Sequence, residues 1–273
     1  MKKSLKYKII VTIVGIILLS MIYCEKNKDI FKKQPVELTV ATFNLDAKST
    51  PDIAKQRKIM VKNGVEIFGV QEVDVKTDRN NYNMVDELLQ KDYSCGYFTK
   101  CIDVRGGEYG IATIGKDRMI ETEEFSLAKA NLLQEIDVAI EPRYFQRIVF
   151  EKKGKKIAFY NTHLSYETVE VRHKQLAILK ETLANDPIPY RILVGDFNAD
   201  TGVDEFDIFQ EDYKVANGYG GRYFDTYKEN DQTMNVKSID NVITSNNIQI
   251  VNVHMPEVDL SDHNPLIVKL VLE

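Results

Sequence analysis

Acidic, amide and histidine side chains recur where short apolar runs of this sequence end. The five motifs that carry them are TFNL (42–45), FGVQE (68–72), YNTHL (160–164), LVGDFN (193–198) and SDHNP (261–265). Each motif alone fits a turn, because Asp and Asn often hydrogen-bond their own backbone there. Five such ends in one chain are harder to explain by turns. A rigid sheet aims side chains into a cleft at its strand ends, so the pattern indicates a shared site.

The oxygen-bearing residues of these motifs suit a hard divalent cation. Mg²⁺ prefers carboxylate, amide and water oxygens, and Asn44, Glu72 and Asp262 supply such groups. The sequence has no cysteine cluster and no His-x-x-x-His motif, which disfavours zinc. We therefore predict a magnesium-type site with Asn44, Glu72 and Asp262 as its ligands.

The remaining motif residues fit the hydrolysis of a phosphoester. That reaction needs an oriented water molecule, positive charge beside the phosphoryl oxygens and help for the leaving oxygen. Asp196 can orient or deprotonate the water, and Asn198 can hold the phosphate without adding negative charge. His163 and His263, together with the metal, can stabilise phosphoryl charge.

One arginine is a further candidate for the substrate phosphate. Arg143 and Arg147 lie in EPRYFQR (141–147), and arginine matches phosphate geometry well. The functional interpretation places Arg143 in the cleft, whereas a surface ion pair is the alternative.

Strands outnumber helices in the predicted fold. The predicted strands are 36–43, 65–70, 110–114, 146–150, 156–161, 191–195, 239–243, 248–253 and 265–271. The predicted helices are 82–91, 167–184 and one capped by Thr50, with Pro51 at its first position and Gly64 beyond its end. Many neighbouring strands lack a crossover helix, which favours an α+β fold over a doubly wound parallel sheet.

Seven motifs in order resemble the endonuclease/exonuclease/phosphatase superfamily, also called deoxyribonuclease-I-like. They are TFNL (42–45), QE (71–72), YGIATIG (109–115), NTHLS (161–165), GDFNA (195–199), SIDNVI (238–243) and SDHNPL (261–266). The resemblance covers about residues 36–273. It implies a four-layered α/β sandwich, two packed mixed β-sheets flanked by helices. It also implies Mg²⁺ or Mn²⁺ dependence and attack by water at phosphorus.

The resemblance implies roles for single residues as well. Glu72 is similar to the principal metal ligand, with Asn44 nearby and Asp262 as a second carboxylate at the metal. Asp196 is similar to the residue that positions or activates water, and Asn198 to a phosphate binder.

Three further roles follow from the same resemblance. His263 is similar to the histidine that contacts phosphate, and Asp240 to the acid that orients it. Such a pair also makes sense by itself, because the carboxylate fixes the tautomer and raises the imidazole pKa. His163 could protonate the leaving oxygen, and a histidine in this motif points away from a DNA repair role.

The N-terminus has the layout of an export signal. Four lysines precede residues 9–24, which carry no charge. No small-x-small cleavage site precedes Cys24, so we predict that residues 1–24 are a membrane anchor with the domain outside the cytoplasm. A cleaved signal peptide, and hence a secreted protein, is the alternative. Residues 25–35 then form a polar tether, and residues 36–273 form the catalytic domain.

Charge and cysteines narrow the function further. A net charge of −5 argues mildly against nonspecific duplex binding, which a basic stripe favours. Cys95 and Cys101 could form a disulfide or remain free thiols.

The sequence predicts a monomeric phosphodiesterase or phosphatase, with lipid head groups as one substrate class. An extracellular metal-dependent nuclease is the alternative, so nucleic acid is a possible but not a favoured partner. A non-catalytic phosphate-binding module is disfavoured, because every motif residue is present.

Overall fold

The computed structural model describes residue 20 and residues 34–127, 140–202, 204–228 and 237–273. The predicted anchor or signal segment and most of the predicted tether lie outside these described residues. Within them, no helix is long and apolar enough to cross a membrane.

In the described part of the chain, twelve strands form two mixed sheets of six strands each. The first sheet contains β1 (Val36–Asn44), β2 (Ile67–Val75), β3 (Cys95–Val104), β4 (Gly107–Gly115), β11 (Ile248–His254) and β12 (Leu266–Leu272), in the order β11-β12-β1-β2-β4-β3. The second contains β5 (Met119–Ser126), β6 (Tyr144–Lys152), β7 (Lys155–His163), β8 (Tyr190–Asp196), β9 (Tyr213–Val215) and β10 (Asp240–Ser245), in the order β5-β6-β7-β8-β10-β9. Each sheet has one parallel pair, β1 with β2 and β7 with β8.

Three apolar clusters stack the sheets and helices into four layers. Residues such as Leu38 and Phe159 fill the space between the two sheets. Helices α1 (Ile53–Lys62) and α2 (Met84–Leu88) pack on the outer face of the first sheet. Helix α3 (Val169–Asn185) packs on the outer face of the second. The predicted four-layered α/β sandwich is therefore confirmed.

The local differences from the predicted elements have simple causes. Asp52, not Thr50, caps α1, because its side chain accepts a hydrogen bond from the Lys55 amide at 3.0 Å. Thr50 instead has a φ of 54°, in the left-handed region. Strands β3, β5 and β9 were not predicted. All three are edge strands. β3 and β5 have few buried residues and β9 has only three residues, so they lack the apolar pattern used to identify strands.

The two cysteine thiols among the described residues are free. Cys95 and Cys101 lie in the same strand, β3, six positions apart. An extended strand separates such residues by about 20 Å, far beyond the span of a disulfide. Of the two possibilities that the sequence left open, the free thiols are found.

Buried polar side chains join the two sheets below the predicted site. Gln71 Nε2 donates to Asn161 Oδ1 at 2.7 Å, and Asn161 Nδ2 donates to the Ala112 carbonyl at 2.9 Å. Thr113 Oγ1 donates to Gln146 Oε1 at 2.7 Å. A Cβ atom on Gly69 would lie 2.4 Å from Asn161 Oδ1, so glycine is needed for this close approach. The network fixes the position of one sheet relative to the other, which brings their strand ends together.

A buried ion pair ties α3 to the turn at Asp204–Phe209, and we expect its loss to be costly. Arg172 makes two hydrogen bonds of 2.9 Å to Glu205, and both side chains are 7% exposed. Arg172→Met leaves the Glu205 carboxylate buried without its partner, so the free energy of unfolding should fall by about 3–5 kcal/mol. Urea denaturation measures this change. The double variant Arg172→Met/Glu205→Leu should recover part of the loss, and equal stability of the single and double variants would contradict the prediction.

Candidate active site

The strand ends that carry the sequence motifs meet at one cleft between the two sheets. Parallel pairing of β7 and β8 places His163 beside Asp196, and antiparallel pairing places Asp240 on the other side of Asp196. Parallel pairing of β1 and β2 likewise places Asn44 beside Gln71, one residue before Glu72. The cleft has a volume of about 480 Å³.

All but one of the predicted site residues line this cleft. The lining residues among them are Asn44, Glu72, Arg143, His163, Asp196, Asn198, Asp262 and His263. Asp240 is fully buried and hydrogen-bonded to His263, so it acts on the site through His263 and does not itself line the cleft.

Asp196 lies at the centre of the polar groups. Its Oδ2 accepts a hydrogen bond from Asn44 Nδ2 at 2.9 Å, and its Oδ1 accepts one from the backbone N–H of Asn198 at 2.9 Å. The Nε2 atoms of His163 and His263 lie 3.6 Å and 3.7 Å from its Oδ2. Burial and the nearby Asp240 carboxylate raise the pKa of Asp196 to about 6. A carboxylate with that pKa is a suitable proton acceptor near neutral pH.

Glu72 presents a carboxylate oxygen with no protein partner. It lies in a bulge of β2 between Val70 and Val73, with a φ of 55°. Bulges re-aim side chains at active sites, and a left-handed non-glycine residue stores backbone strain. Glu72 Oε1 is 3.4 Å from Asn44 Nδ2, whereas Oε2 is buried without a hydrogen bond among the described residues. Burial raises the pKa of Glu72. A buried, unpaired carboxylate oxygen is costly without a cation, so Glu72 fits a metal ligand.

Asn44 and Asp262, the two other predicted metal ligands, differ in how well their oxygen atoms are placed to bind a cation. The amide nitrogen of Asn44, not its oxygen, faces Glu72 and Asp196, while its oxygen accepts from the Asp46 amide at 3.1 Å. Asn44 could bind a cation only after its amide rotates by half a turn. Asp262 is 29% exposed, and its Oδ1 lies 3.9 Å from His263 Nε2. Asp262 lines the same cleft as Glu72, so its carboxylate is a second candidate ligand for a cation there.

Asp240 and His263 form a hydrogen-bonded pair. The Nδ1 atom of His263 lies 2.7 Å from Asp240 Oδ2. Burial alone would lower the pKa of His263, but Asp240, and with it Asp196 and Asp262, raises that pKa to about 10. His263 is therefore a buried imidazolium, suited to contact a phosphoryl oxygen. Ligand atoms of Asp196, Asp240 and His263 lie within 4.8 Å of one another, a spacing that could also hold a metal. The hydrogen bond between Asp240 and His263 makes Glu72 the better cation ligand.

The loss of the Asp240 carboxylate should therefore change both the charge and the orientation of His263. Asp240→Asn removes the largest stabilisation of the imidazolium, so the pKa of His263 should fall toward the ordinary histidine value of about 6.5. Turnover of a phosphoester should fall about 10²-fold or more. An NMR titration of the imidazole signals measures the first effect, with the exposed His254 as an internal reference. A His263 that stays protonated at pH 9 in the variant would contradict the assignment.

His163 is neutral in this environment. Burial, reinforced by the charges of Arg143 and His263, lowers the pKa of His163 well below its ordinary value. A neutral imidazole donates one N–H, so His163 can hydrogen-bond an oxygen of the substrate without carrying charge.

Two further predicted residues differ in environment. Asn198 has a φ of 49° and donates from Nδ2 to the Leu164 carbonyl at 2.9 Å. Arg143 is buried at the cleft, and its Nη1 lies 3.2 Å from Glu141 Oε1. Its Nε is buried without a partner among the described residues. Arg147, in contrast, lies outside the cleft in an ion pair with Asp186.

Sequence reasoning missed several residues that line the cleft. They are Lys48, Arg79, Ile102, Val104, Glu141, Tyr166, Tyr227 and Ile239. Tyr109, the first residue of the YGIATIG motif, also lines the cleft. The polar run KTDRN (76–80), directly after β2, was the available signal for Arg79. Glu141 and Ile239 lie in EPRYFQR (141–147) and SIDNVI (238–243), next to predicted site residues, and the others come from segments without a distinctive pattern.

The fold and the site together define the class of this protein. Residues 41–263 match the model of the Endonuclease/Exonuclease/phosphatase family. The chain belongs to this family, whose members are generally hydrolases of phosphoesters and typically depend on divalent metals.

Solved structures of low sequence identity share the fold. An endonuclease/exonuclease/phosphatase from Bacteroides vulgatus is 20% identical, with a TM-score of 0.68 over 87% of this chain and 100% of that chain. A mannosyl-6-phosphatase from Bacteroides thetaiotaomicron VPI-5482 is 19% identical, with a TM-score of 0.65 over 86% and 100%. D. rerio TDP2, complexed with a single strand DNA product, is 14% identical, with a TM-score of 0.65 over 86% and 98%. No curated protein matches this sequence significantly.

Proposed function

We propose that this protein is a divalent-metal-dependent hydrolase of phosphoester bonds. The observation that carries the proposal is the meeting of Asp196, with a pKa of about 6, and the unpartnered Glu72 Oε2 in one cleft. A proton acceptor for water and a ligand for a cation are the two groups that this reaction needs most.

The charges that line the cleft support a bound cation. Among the described residues, four carboxylates line it, together with four cationic side chains, those of Lys48, Arg79, Arg143 and the His263 imidazolium. Three of these cations, Arg79, Arg143 and His263, are already paired with Asp74, Glu141 and Asp240. A phosphate would therefore meet an excess of negative charge, which Mg²⁺ or Mn²⁺ at Glu72 and Asp262 would offset.

The side chains of the site then have distinct tasks. Asp196 accepts a proton from the attacking water, and the Asn44 and Asn198 hydrogen bonds hold its carboxylate in place. His163, His263 and the side chain of Asn198 are placed to hold phosphoryl oxygens, with Asp240 orienting His263. A bound metal would polarise a phosphoryl oxygen and stabilise the charge on the leaving oxygen.

The substrate and the cellular location belong to the same proposal. We favour a phosphodiesterase or phosphatase that acts outside the cytoplasm, held at the membrane by residues 1–24, with secretion as the alternative. Lipid head groups would be accessible to such an enzyme. A nuclease is the second candidate, because D. rerio TDP2 shares the fold and binds a single strand DNA product. The net charge of −5 favours the first.

A panel of phosphoesters tests the proposal and separates its alternatives. The purified chain is assayed with Mg²⁺, Mn²⁺ or EDTA on a sugar phosphate, an aryl phosphodiester, anionic lipid vesicles and plasmid DNA, with Glu72→Ala as control. We expect turnover that EDTA and the substitution both abolish. Plasmid degradation alone would favour the nuclease. Phosphate binding without turnover on any substrate would leave a binding module.

Location is tested separately. The full chain should sediment with membranes and be digested by protease added to intact cells. A chain without residues 1–24 should lose the membrane association, and a soluble full chain in the medium would indicate secretion instead.

A further inference from the structure

The wall of the cleft beyond Glu72 contains an arginine that the proposed mechanism does not use. Asp74, Tyr109 and Ile102 are cross-strand partners in β2, β4 and β3. Arg79 lies above this row, with its guanidinium 5.6 Å from the centre of the Tyr109 ring. Its side chain lines the same cleft as Glu72 and Asp196.

Arg79 is fixed along one edge of its guanidinium. Its Nε and Nη2 atoms donate to Asp74 Oδ2 and Oδ1 at 2.6 Å and 2.9 Å. Asp74 is fully buried and also accepts from Thr77 Oγ1 at 2.7 Å and Asn80 Nδ2 at 2.8 Å. A carboxylate held by this many donors has little freedom, so it holds the arginine in one orientation.

The other edge of the Arg79 guanidinium is available. Its Nη1 has no protein hydrogen-bond partner in the part of the chain that the structure describes, and the side chain is 14% exposed. Arg147, in contrast, is an arginine with hydrogen bonds from all three guanidinium nitrogens. Its Nε and Nη2 donate to Asp186 at 2.7 Å and 3.1 Å, and its Nη1 donates to Glu121 and Glu123.

We propose that Arg79 is a substrate-binding residue, which donates from its free edge to a phosphoryl oxygen of the substrate, and that Asp74 is its positioning residue. This inference rests on the proposed function. A guanidinium held in advance by a buried carboxylate loses little conformational freedom when it binds an anion. The apolar Ile102 and Val104 continue the wall outward, where they can contact the organic part of the ester.

The variants R79Q and R79K test the contact, with R147Q as the matched control. Arg147 is also bidentate to a buried aspartate and is 11% exposed, but it lies outside the cleft. R79Q should lower kcat/KM about 10²-fold with the preferred phosphoester. R79K should lose less, because it keeps the charge without the bidentate geometry. R147Q should lower stability without changing kcat/KM.

The split between KM and kcat identifies the phosphoryl group involved. The substrates are a hexose monophosphate and the matching bisphosphate. A fall in kcat on both substrates assigns the contact to the phosphate that reacts. A rise in KM on the bisphosphate alone assigns it to a second phosphate. Equal activities of R79Q, R147Q and the wild type, after correction for the folded fraction, would overturn the inference.

Binding of inorganic phosphate in the presence of Mg²⁺ separates this inference from the proposed function. The wild type and R147Q should bind phosphate in calorimetry, and R79Q should bind it about 10-fold or more weakly. If the wild type binds phosphate but hydrolyses no phosphoester, the proposed function fails, and the affinity of R79Q still decides the role of Arg79. If R79Q does not fold, R79K and the charge-removing double variant D74N/R79Q carry the comparison. An unchanged phosphate affinity in them would overturn the inference.

Discussion

Asp196→Asn should lower kcat about 10²- to 10⁴-fold while leaving the protein folded, because the amide can no longer accept a proton from water. Asp196 is buried, is held by the Asn44 side chain and the Asn198 amide, and has a pKa raised to about 6. The substituted amide keeps the size of the carboxylate but places a donor beside Asn44 Nδ2. The measurement is kcat on the best phosphoester of the panel, at saturating substrate and Mg²⁺.

Asp186→Asn is the control for this substitution. Asp186 is also a buried aspartate with charged and polar partners, but it lies at Arg147, away from the cleft. Its loss should affect stability and leave kcat of the folded fraction near the wild-type value. An Asp196→Asn variant with more than a tenth of the wild-type kcat would show that Asp196 is not the proton acceptor.

Glu72→Gln should abolish metal-dependent turnover and the stabilisation by metal. Its Oε2 is buried without a partner among the described residues, so the wild-type protein carries an uncompensated carboxylate when no cation is bound. The neutral amide removes that cost, and the metal-free variant should be as stable as the wild type or more so. Addition of Mg²⁺ or Mn²⁺ should raise the Tm of the wild type but not that of the variant.

Thermal unfolding with and without the metal gives this result independently of activity. Glu66→Gln is a suitable control, because Glu66 is a partly exposed glutamate that pairs with Lys152 outside the cleft. It should keep the metal-induced rise in Tm. If Glu72→Gln keeps that rise as well, the cation binds elsewhere, and the Asp196, Asp240 and His263 group becomes the site to test.

Two functional residues of this cleft have strained backbone conformations. Glu72 and Asn198 both have left-handed φ values, 55° and 49°, although neither is glycine. Such conformations cost about 1–3 kcal/mol each and persist where the surrounding structure holds them. Here the bulge in β2 and the hydrogen bond from Asn198 Nδ2 to Leu164 do so. Both side chains line the cleft from these left-handed conformations.

The sequence alone predicted the elements with strong apolar patterns and the motifs at their ends. The buried strands β7 and β8 have short apolar runs and β1 alternates apolar with polar residues, so their ends, and with them Asn44, His163 and Asp196, could be located. The edge strands β3, β5 and β9 could not, because β3 and β5 are mostly exposed and β9 has only three residues, so none of them shows an apolar pattern. The position of the N-terminal cap of α1 could not be predicted either, because Thr and Asp side chains can both accept the capping hydrogen bond.

Only the tertiary structure decided which of these residues act together. The pairing of β8 with both β7 and β10 places His163, Asp196 and Asp240 side by side, although they are far apart in the sequence. The same packing put Arg143 in the cleft and Arg147 in an ion pair outside it, and it brought Arg79 to the wall beyond Glu72. Side-chain type and local pattern are properties of the sequence. Distance, burial and the pKa changes that they cause arise only when strands from distant segments pack together.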